Sequence, residues 1–386
     1  MKMLKGKYVI SGVILVLMLL GLTVTASIAA PPKTAGLPGI LMWSSYDVGS
    51  GGFIQASAMA DALRKKFDIK VRILPSGTSV GRLTPLKTGA ASYGFLADET
   101  YFAVEGLYEF AGYMWGPQDL RVVLHHPAAI SLVTTAKSGI KTPADFKGKR
   151  VAWVLGSPTI YKKAEAFLAF AGLTWNDVQK VEFPGYAGSL KGLVEDKVDA
   201  AITIPTASIM YELESSHMGI YWPEFPVSDK EGWARIQKVA PWVSPGKEDR
   251  GAGLKKGQPR ELPFYSYPQM VTYGKQNADE VYTLLKALDE TYDLYKDTDP
   301  VMSDWAVSRG GKSPAGAPFH EGAIKYLKKK GIWKAEDDQW NNQFLQRMKK
   351  TQNAWKKAIE EATEKRISEK DFPDFWAKKK LEIVGD

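Results

Sequence analysis

From Ile40 onward the chain alternates between short apolar runs of strand length and longer stretches whose apolar positions recur at helical spacing. Ile40 to Trp43 precedes Phe53 to Phe67, Val71 to Leu74 precedes Val80 to Lys87, and Tyr93 to Leu96 precedes Glu99 to Leu107. A two-residue period giving way to a 3.6-residue one, with Gly, Ser and Asp at the joints, predicts strand–helix units that build a parallel sheet. Arg121 to Leu124 and Ile130 to Thr135 read as two further strands. The alternation then restarts with a strand at Val151 to Leu155, a helix at Ile160 to Ala171, a strand at Val181 to Phe183, a helix at Gly188 to Glu195 and a strand at Ala200 to Ile204.

Two α/β units in series predict two lobes. Between Ser216 and Pro263 the pattern weakens among Pro, Gly and Trp residues, then a strand at Pro268 to Tyr273 and a helix at Ala278 to Lys296 restore it. The strands at Ile130 to Thr135 and Pro268 to Tyr273 fall where one series stops and the next begins, so they are the expected crossings. This places residues 39–130 and 268–331 in the first lobe and 131–267 in the second. After a helix at His320 to Lys330, residues 332–386 form a helical extension. Its main helix, expected from Glu336 to Ile367, carries Trp340, Phe344, Met348, Trp355, Ile359 and Ala362 on one face. A strap on the first lobe, or a dimer or permease contact, suits such a face.

The first 29 residues carry a different pattern. Lys2, Lys5 and Lys7 precede an apolar stretch that closes on Ser27-Ile28-Ala29. A basic start, an apolar middle and a small-residue end make an export signal, with cleavage expected near Ala29 and a Pro/Gly-rich linker over residues 30–38. An uncleaved anchor is the alternative, since Tyr8 to Ala30 is uncharged and long enough to span a bilayer. Removing the signal takes three of the 51 basic residues and none of the 43 acidic ones, which lowers the formal charge of +8. The remaining basic residues lie in short mixed-sign runs and suggest no nucleic-acid groove.

At 386 residues, with 45% hydrophobic and 24% charged positions, the chain is a globular protein of more than one small module. It has no cysteine and four histidines. Disulfides, thiolate metal sites and cysteine nucleophiles are excluded, and no nucleophile–base–orienter set stands out. The pattern points to binding without catalysis, cofactor or metal. His125-His126 sits at the expected crossing without a third ligand. Gly310-Gly311-Lys312-Ser313 ends like a phosphate-binding loop but lacks the first glycine and a preceding strand.

In α/β folds, ligands meet the loops at the carboxyl ends of strands, where helix N-termini present free N–H groups. Four such loops are legible. The first runs from Tyr46 and Asp47 to Gly51, Gly52 and Phe53, and the second is Ser76-Gly77-Thr78-Ser79. Asp98-Glu99-Thr100 is the third. Ser157 and Thr159 in Gly156-Ser157-Pro158-Thr159 form the fourth, in the place the first loop occupies in its own unit. Ser and Thr cap helices and Gly makes turns in any protein; their recurrence at strand ends in both units is the signal.

The order of these blocks resembles the TAXI family of solute-binding proteins of TRAP transporters. The blocks that carry the likeness are Val48-Gly49-Ser50-Gly51-Gly52, Ser76-Gly77-Thr78-Ser79-Val80, Leu86-Lys87-Thr88-Gly89-Ala90, Phe95-Leu96-Ala97-Asp98-Glu99, Ser138-Gly139-Ile140 with Asp145-Phe146-Lys147-Gly148-Lys149-Arg150-Val151, Gly156-Ser157-Pro158-Thr159, Asp196-Lys197-Val198-Asp199-Ala200 and Phe319-His320-Glu321-Gly322-Ala323-Ile324-Lys325-Tyr326. The resemblance spans roughly Ile40 to Gly331. It implies a type II periplasmic binding fold and a small, carboxylate-bearing solute. It also implies delivery to an ion-driven TRAP-type membrane permease, by a monomer or dimer in the periplasm. Tyr46-Asp47-Val48 and Pro158 depart from the family pattern. A periplasmic sensing module for a membrane kinase and an enzyme on the same fold are the rival readings. Because neither the first nor the fourth loop contains Arg or Lys, a neutral cradle is expected for the carboxylate: the N–H groups at Gly51, Gly52 and Phe53, with the hydroxyls of Ser157 and Thr159. Arg82 is expected on a helix flank, away from its mouth.

Overall fold

The computed structural model describes residues 36–385; the expected signal and most of the linker lie outside the described residues. The first half runs β1 (Ile40–Tyr46), α1 (Gly51–Phe67), β2 (Lys70–Ser76), α2 (Ser79–Thr88), β3 (Tyr93–Leu96), α3 (Glu99–Glu105) and β4 (Leu120–Ala129). The chain then crosses through Ile130 into β5 (Ser131–Thr135), β6 (Arg150–Val154), α4 (Pro158–Phe170), β7 (Gln179–Phe183), α5 (Tyr186–Val194), β8 (Ala200–Thr203), α6 (Ser208–Ser215), β9 (Ile220–Tyr221) and α7 (Lys230–Val239). It returns by β10 (Ser244–Glu248) and β11 (Arg260–Tyr273). α8 (Ala278–Glu290), α9 (Tyr292–Tyr295), α10 (Val307–Gly310), α11 (Glu321–Lys329), α12 (Ala335–Glu364) and α13 (Phe372–Val384) complete it.

The two sheets share one plan. In the first, β2, β1 and β3 are parallel and β11 lies antiparallel beside β3, with β4 and β10 on β11. In the second, β7, β6 and β8 are parallel and β5 lies antiparallel beside β8, with β9 outside it. In each sheet the strand beside the third parallel one follows the crossing from the other lobe. The result is a mixed α/β architecture of two similarly built sheets, one in each lobe.

β11 is much longer than the strand expected from Pro268 to Tyr273. Pro263 and Pro268 masked its first half, because proline marks strand edges and breaks. From Arg260 the strand pairs within the first sheet, yet Leu262, Tyr265 and Tyr267 pack in the core of the second lobe. A boundary drawn at residue 267 therefore runs through a strand that both lobes use. The first core gathers around Trp43, Phe95, Phe102 and Trp305, and the second around Phe146, Phe167, Leu190 and Trp222.

The C-terminal extension is a helical hairpin. α12 lays Trp340, Phe344 and Met348 on the core of the first lobe, and the chain turns back as α13, whose Phe372 and Trp376 pack against Trp355. The buried Glu105 at the end of α3 anchors both helices, taking Arg347 at 3.0 Å and Lys380 at 2.6 Å. The second helix was not legible as such. Its basic run Lys378-Lys379-Lys380 hides a spacing in which only Phe372, Trp376 and Lys380 are buried.

Candidate functional site

The four loops meet. Those of the first lobe lie against those of the second along the carboxyl ends of both sets of parallel strands. Ser50 caps α1 by accepting from Phe53 N at 3.2 Å, and Thr78 caps α2 by accepting from Gly81 N at 3.0 Å. Across the gap Ser79 Oγ and Ser157 Oγ are 3.2 Å apart, Tyr186 N donates to Gly77 O at 3.0 Å, and Ala187 N donates to Asp47 Oδ2 at 2.9 Å. Asp47 thus places a carboxylate at the N-terminus of α5 in the opposite lobe, where the helix dipole and free N–H groups favour an anion.

Glycine at positions 51 and 52 answers to packing. A Cβ on Gly51 would come within 2.2 Å of Ile204 Cδ1 in the second lobe, and one on Gly52 within 2.8 Å of the Tyr46 ring. The N–H of Phe53 is used by Ser50, and that of Gly52 faces the Tyr267 hydroxyl.

Two cations enter this contact. Arg82 is fully buried: Nε donates to Glu99 Oε1 at 2.7 Å, one terminal nitrogen reaches Ser76 O at 3.2 Å and the other Ser79 Oγ at 3.3 Å. Its guanidinium lies 3.6 Å over the ring of Tyr46. Burial works against the Arg82 charge, but Glu99 overcomes it and holds the pKa above the ordinary value. Lys163 of α4 reaches Asp98 Oδ2 at 2.6 Å in the first lobe and also donates to Thr159 Oγ1 and O at 2.9 Å. Burial pushes Asp98 up and Lys163 down, each against the attraction of the other.

The hydroxyls expected in a neutral cradle are engaged within the protein, Ser157 with Ser79 and Thr159 with Lys163, and two cations stand among the loops. The reason lies in helix geometry: side chains tilt toward the helix N-terminus, so Arg82, four residues into α2, and Lys163, six into α4, reach back to the mouths of their own helices. Sequence reasoning also missed Tyr186, Tyr265 and Tyr267. The Tyr186 hydroxyl pairs with Thr203 at 2.7 Å, and the Tyr46 ring meets those of Tyr186 and Tyr267 edge-on. Burial pushes the phenols of Tyr46, Tyr265 and Tyr267 up, so they remain neutral. Thr100 is buried with its hydroxyl unpaired.

Beside this contact lies a cavity of about 670 Å³, bounded by Asp98, Tyr265 of β11, Trp242, Trp340 and Phe344 of α12, and the loop around Lys312. His125 forms part of its wall. Its Nε2 donates to Lys312 O at 2.8 Å and its Nδ1 accepts from the Ser266 hydroxyl. Burial lowers its pKa, so the ring is neutral. His126 Nε2 bonds Gln55 Oε1 at 2.9 Å, which Trp305 Nε1 also reaches. Both histidines are thus held in the crossing by hydrogen bonds. Gly310 to Ser313 follows no strand and carries Lys312 on the cavity rim.

A profile described as the NMT1-like family matches residues 49–331. The chain belongs to the NMT1-like family. That match starts after β1, takes in the rest of both lobes and stops before α12. Similar solved structures include an ancestral arginine-binding protein bound to arginine, at 18% identity over 68% of this chain and 98% of that one, with a TM-score of 0.40. The alkanesulfonate-binding protein SsuA from Xanthomonas axonopodis pv. citri bound to MOPS is similar at 18% identity over 77% and 92%, with a TM-score of 0.39. An amino acid ABC transporter substrate-binding protein from Streptococcus pneumoniae Canada MDR_19A bound to L-arginine gives 14%, 67% and 93%, and 0.40. Among the described residues no helix is long and apolar enough to cross a membrane.

Proposed function

We propose that the protein is an exported periplasmic receptor that captures a small, carboxylate-bearing solute between its lobes and delivers it to an ion-driven TRAP-type permease. The observation that carries this reading is the face-to-face contact of four strand-end loops from two similarly built sheets, joined across the gap by Ser79–Ser157, Asp47–Ala187 and Asp98–Lys163. A solute entering there separates or replaces those contacts, and closure over it presents both lobes to the permease at once. The TAXI-like series of blocks supports the permease type, and the Lys-rich start with its small-residue end supports export. The reading assigns Tyr46, Asp47, Gly51, Gly52, Phe53, the Ser76 to Ser79 turn, Asp98, Glu99, Thr100, Ser157 and Thr159 to the closing faces, with no catalytic step.

Mass spectrometry of the gently purified mature protein identifies the retained solute, and small-angle scattering with and without it reads closure. A retained carboxylic acid that compacts the protein is the expected result. Uptake of that solute in membranes bearing a TRAP-type permease should require the receptor and an ion gradient. Uptake driven by ATP hydrolysis would overturn the permease assignment, and intact Met1 in the membrane fraction would overturn cleavage.

A further inference from the structure

The cavity beside the loop contact has a chemistry of its own. One wall is a continuous aromatic run. Trp242 and Tyr101 have ring centroids 5.4 Å apart, Tyr101 and Phe344 6.4 Å, and Phe344 and Trp340 5.3 Å. Phe264 and Tyr265 of β11 line the cavity as well. At about 670 Å³ it lies within the range of roughly 300 to 1,000 Å³ typical of small-molecule sites. Aromatic walls favour a flat or ring-shaped body, which they meet face to edge or offset-stacked. Two of these rings come from α12, outside the residues the family profile matches.

Most charges around the cavity are held in direct ion pairs, and Lys312 is the exception. Asp98 is paired with Lys163, and Arg309 with Asp304 at 2.6 Å. His125 is neutral. Lys312 makes no ion pair among the described residues. Asp337 lies nearby, but its oxygens are taken by Ser313 N and Oγ at 2.9 and 2.7 Å and by Lys334 N at 2.9 Å. Lys312 therefore stands at the rim, on the 309–316 loop, with its ammonium outside any direct ion pair and Asp337 as the nearby counter-charge. The Asp98 carboxylate is already engaged by Lys163, so Lys312 is the cation that the cavity offers to an acid group.

We propose that the solute site between the closing faces extends past Asp98 into this cavity, which takes a ring-bearing monoanion, its ring against the Trp242–Tyr101–Phe344–Trp340 wall and its acid group at Lys312. The proposal rests on the receptor reading and adds the ligand class to it. The C-terminal hairpin then contributes to specificity as well as packing, since removing its rings opens one side of the chamber. Carboxylate and sulfonate head groups share the required chemistry, and the measurement below separates them.

Titration calorimetry of the full mature protein with benzoate, cyclohexanecarboxylate, benzenesulfonate, the neutral benzamide and the ringless glutamate tests this. The ring anions are expected to bind, with benzamide and glutamate at least about tenfold weaker, the scale of one charge-assisted contact or one lost apolar body. Lys312→Gln, on an exposed loop, should weaken the preferred ring anion about fivefold or more, with recovery in Lys312→Arg. Trp340→Ala should weaken all ring ligands together. Equal binding of benzamide and benzoate, or no effect of Lys312→Gln, overturns the proposal. A ringless retained solute that compacts the protein and ignores Lys312→Gln overturns it while leaving the receptor reading intact. No retained solute and no binding across the panel overturn both.

Discussion

Lys163 Nζ and Asp98 Oδ2 stand 2.6 Å apart, one on each lobe, with both side chains closed to water. Such a pair stabilises only when both partners are present, because a lone buried charge loses its hydration with nothing in return. Lys163→Met should therefore lower unfolding stability by about 3 kcal/mol, and the double variant with Asp98→Leu should recover most of it. Urea unfolding decides; a single variant as stable as the parent would show that the pair does not join the lobes.

Gly51 sets how closely the lobes approach. With a Cβ already 2.2 Å from Ile204 Cδ1, Ala can be absorbed by a turn of that side chain, whereas the branched Val cannot. Gly51→Val should raise the radius of gyration in solution and weaken retained solute, while Gly51→Ala stays near the parent. Scattering curves that superimpose for all three would refute this.

Acid should act through His126. Burial pushes its pKa down to about 4 against the pull of Asp304 and the Pro127 carbonyl, while in the unfolded chain it titrates near about 6.5. A lowered folded pKa means the unfolded state binds the proton first, so this contribution is complete above the unfolded value and is lost as pH falls from there toward about 4. Stability at pH 5 should be lower than at pH 7.5 by about 2 kcal/mol from this group. His125, also lowered by burial, acts in the same direction. In His126→Gln the slope between these pH values should shrink; an unchanged slope would assign the acid sensitivity elsewhere.

Glu105 holds the C-terminal hairpin. Its buried carboxylate meets Arg347 of α12 and Lys380 of α13, so Glu105→Ala removes the carboxylate that the two helices share. We expect a stability loss of about 2 kcal/mol, discounted because Arg347 is partly exposed. The hairpin should become protease-sensitive before the lobes do. Cleavage in the same order and at the same rate as in the parent would show that Glu105 does not secure it.

Much of the architecture is a consequence of local pattern. A run such as Tyr93 to Leu96, short and set between turn residues, fits a buried strand, and Phe53 to Phe67 presents one apolar face at helical spacing. Such periodicities survive without knowledge of neighbours, which is why both series of alternating elements and the four strand-end loops were legible in the chain. Tertiary structure decided the rest. That β11 serves both lobes depends on partners some 140 residues earlier, such as His125 and Ala129, and two prolines disguised it. That the loops are charged depends on long side chains reaching back over their own helix mouths to Glu99 and Asp98. The chamber exists because Trp242, Tyr101 and α12, far apart in sequence, come together. Local spacing records which face of an element is buried, but it carries no information about what that face is buried against, and the chemistry of this site resides in those partners.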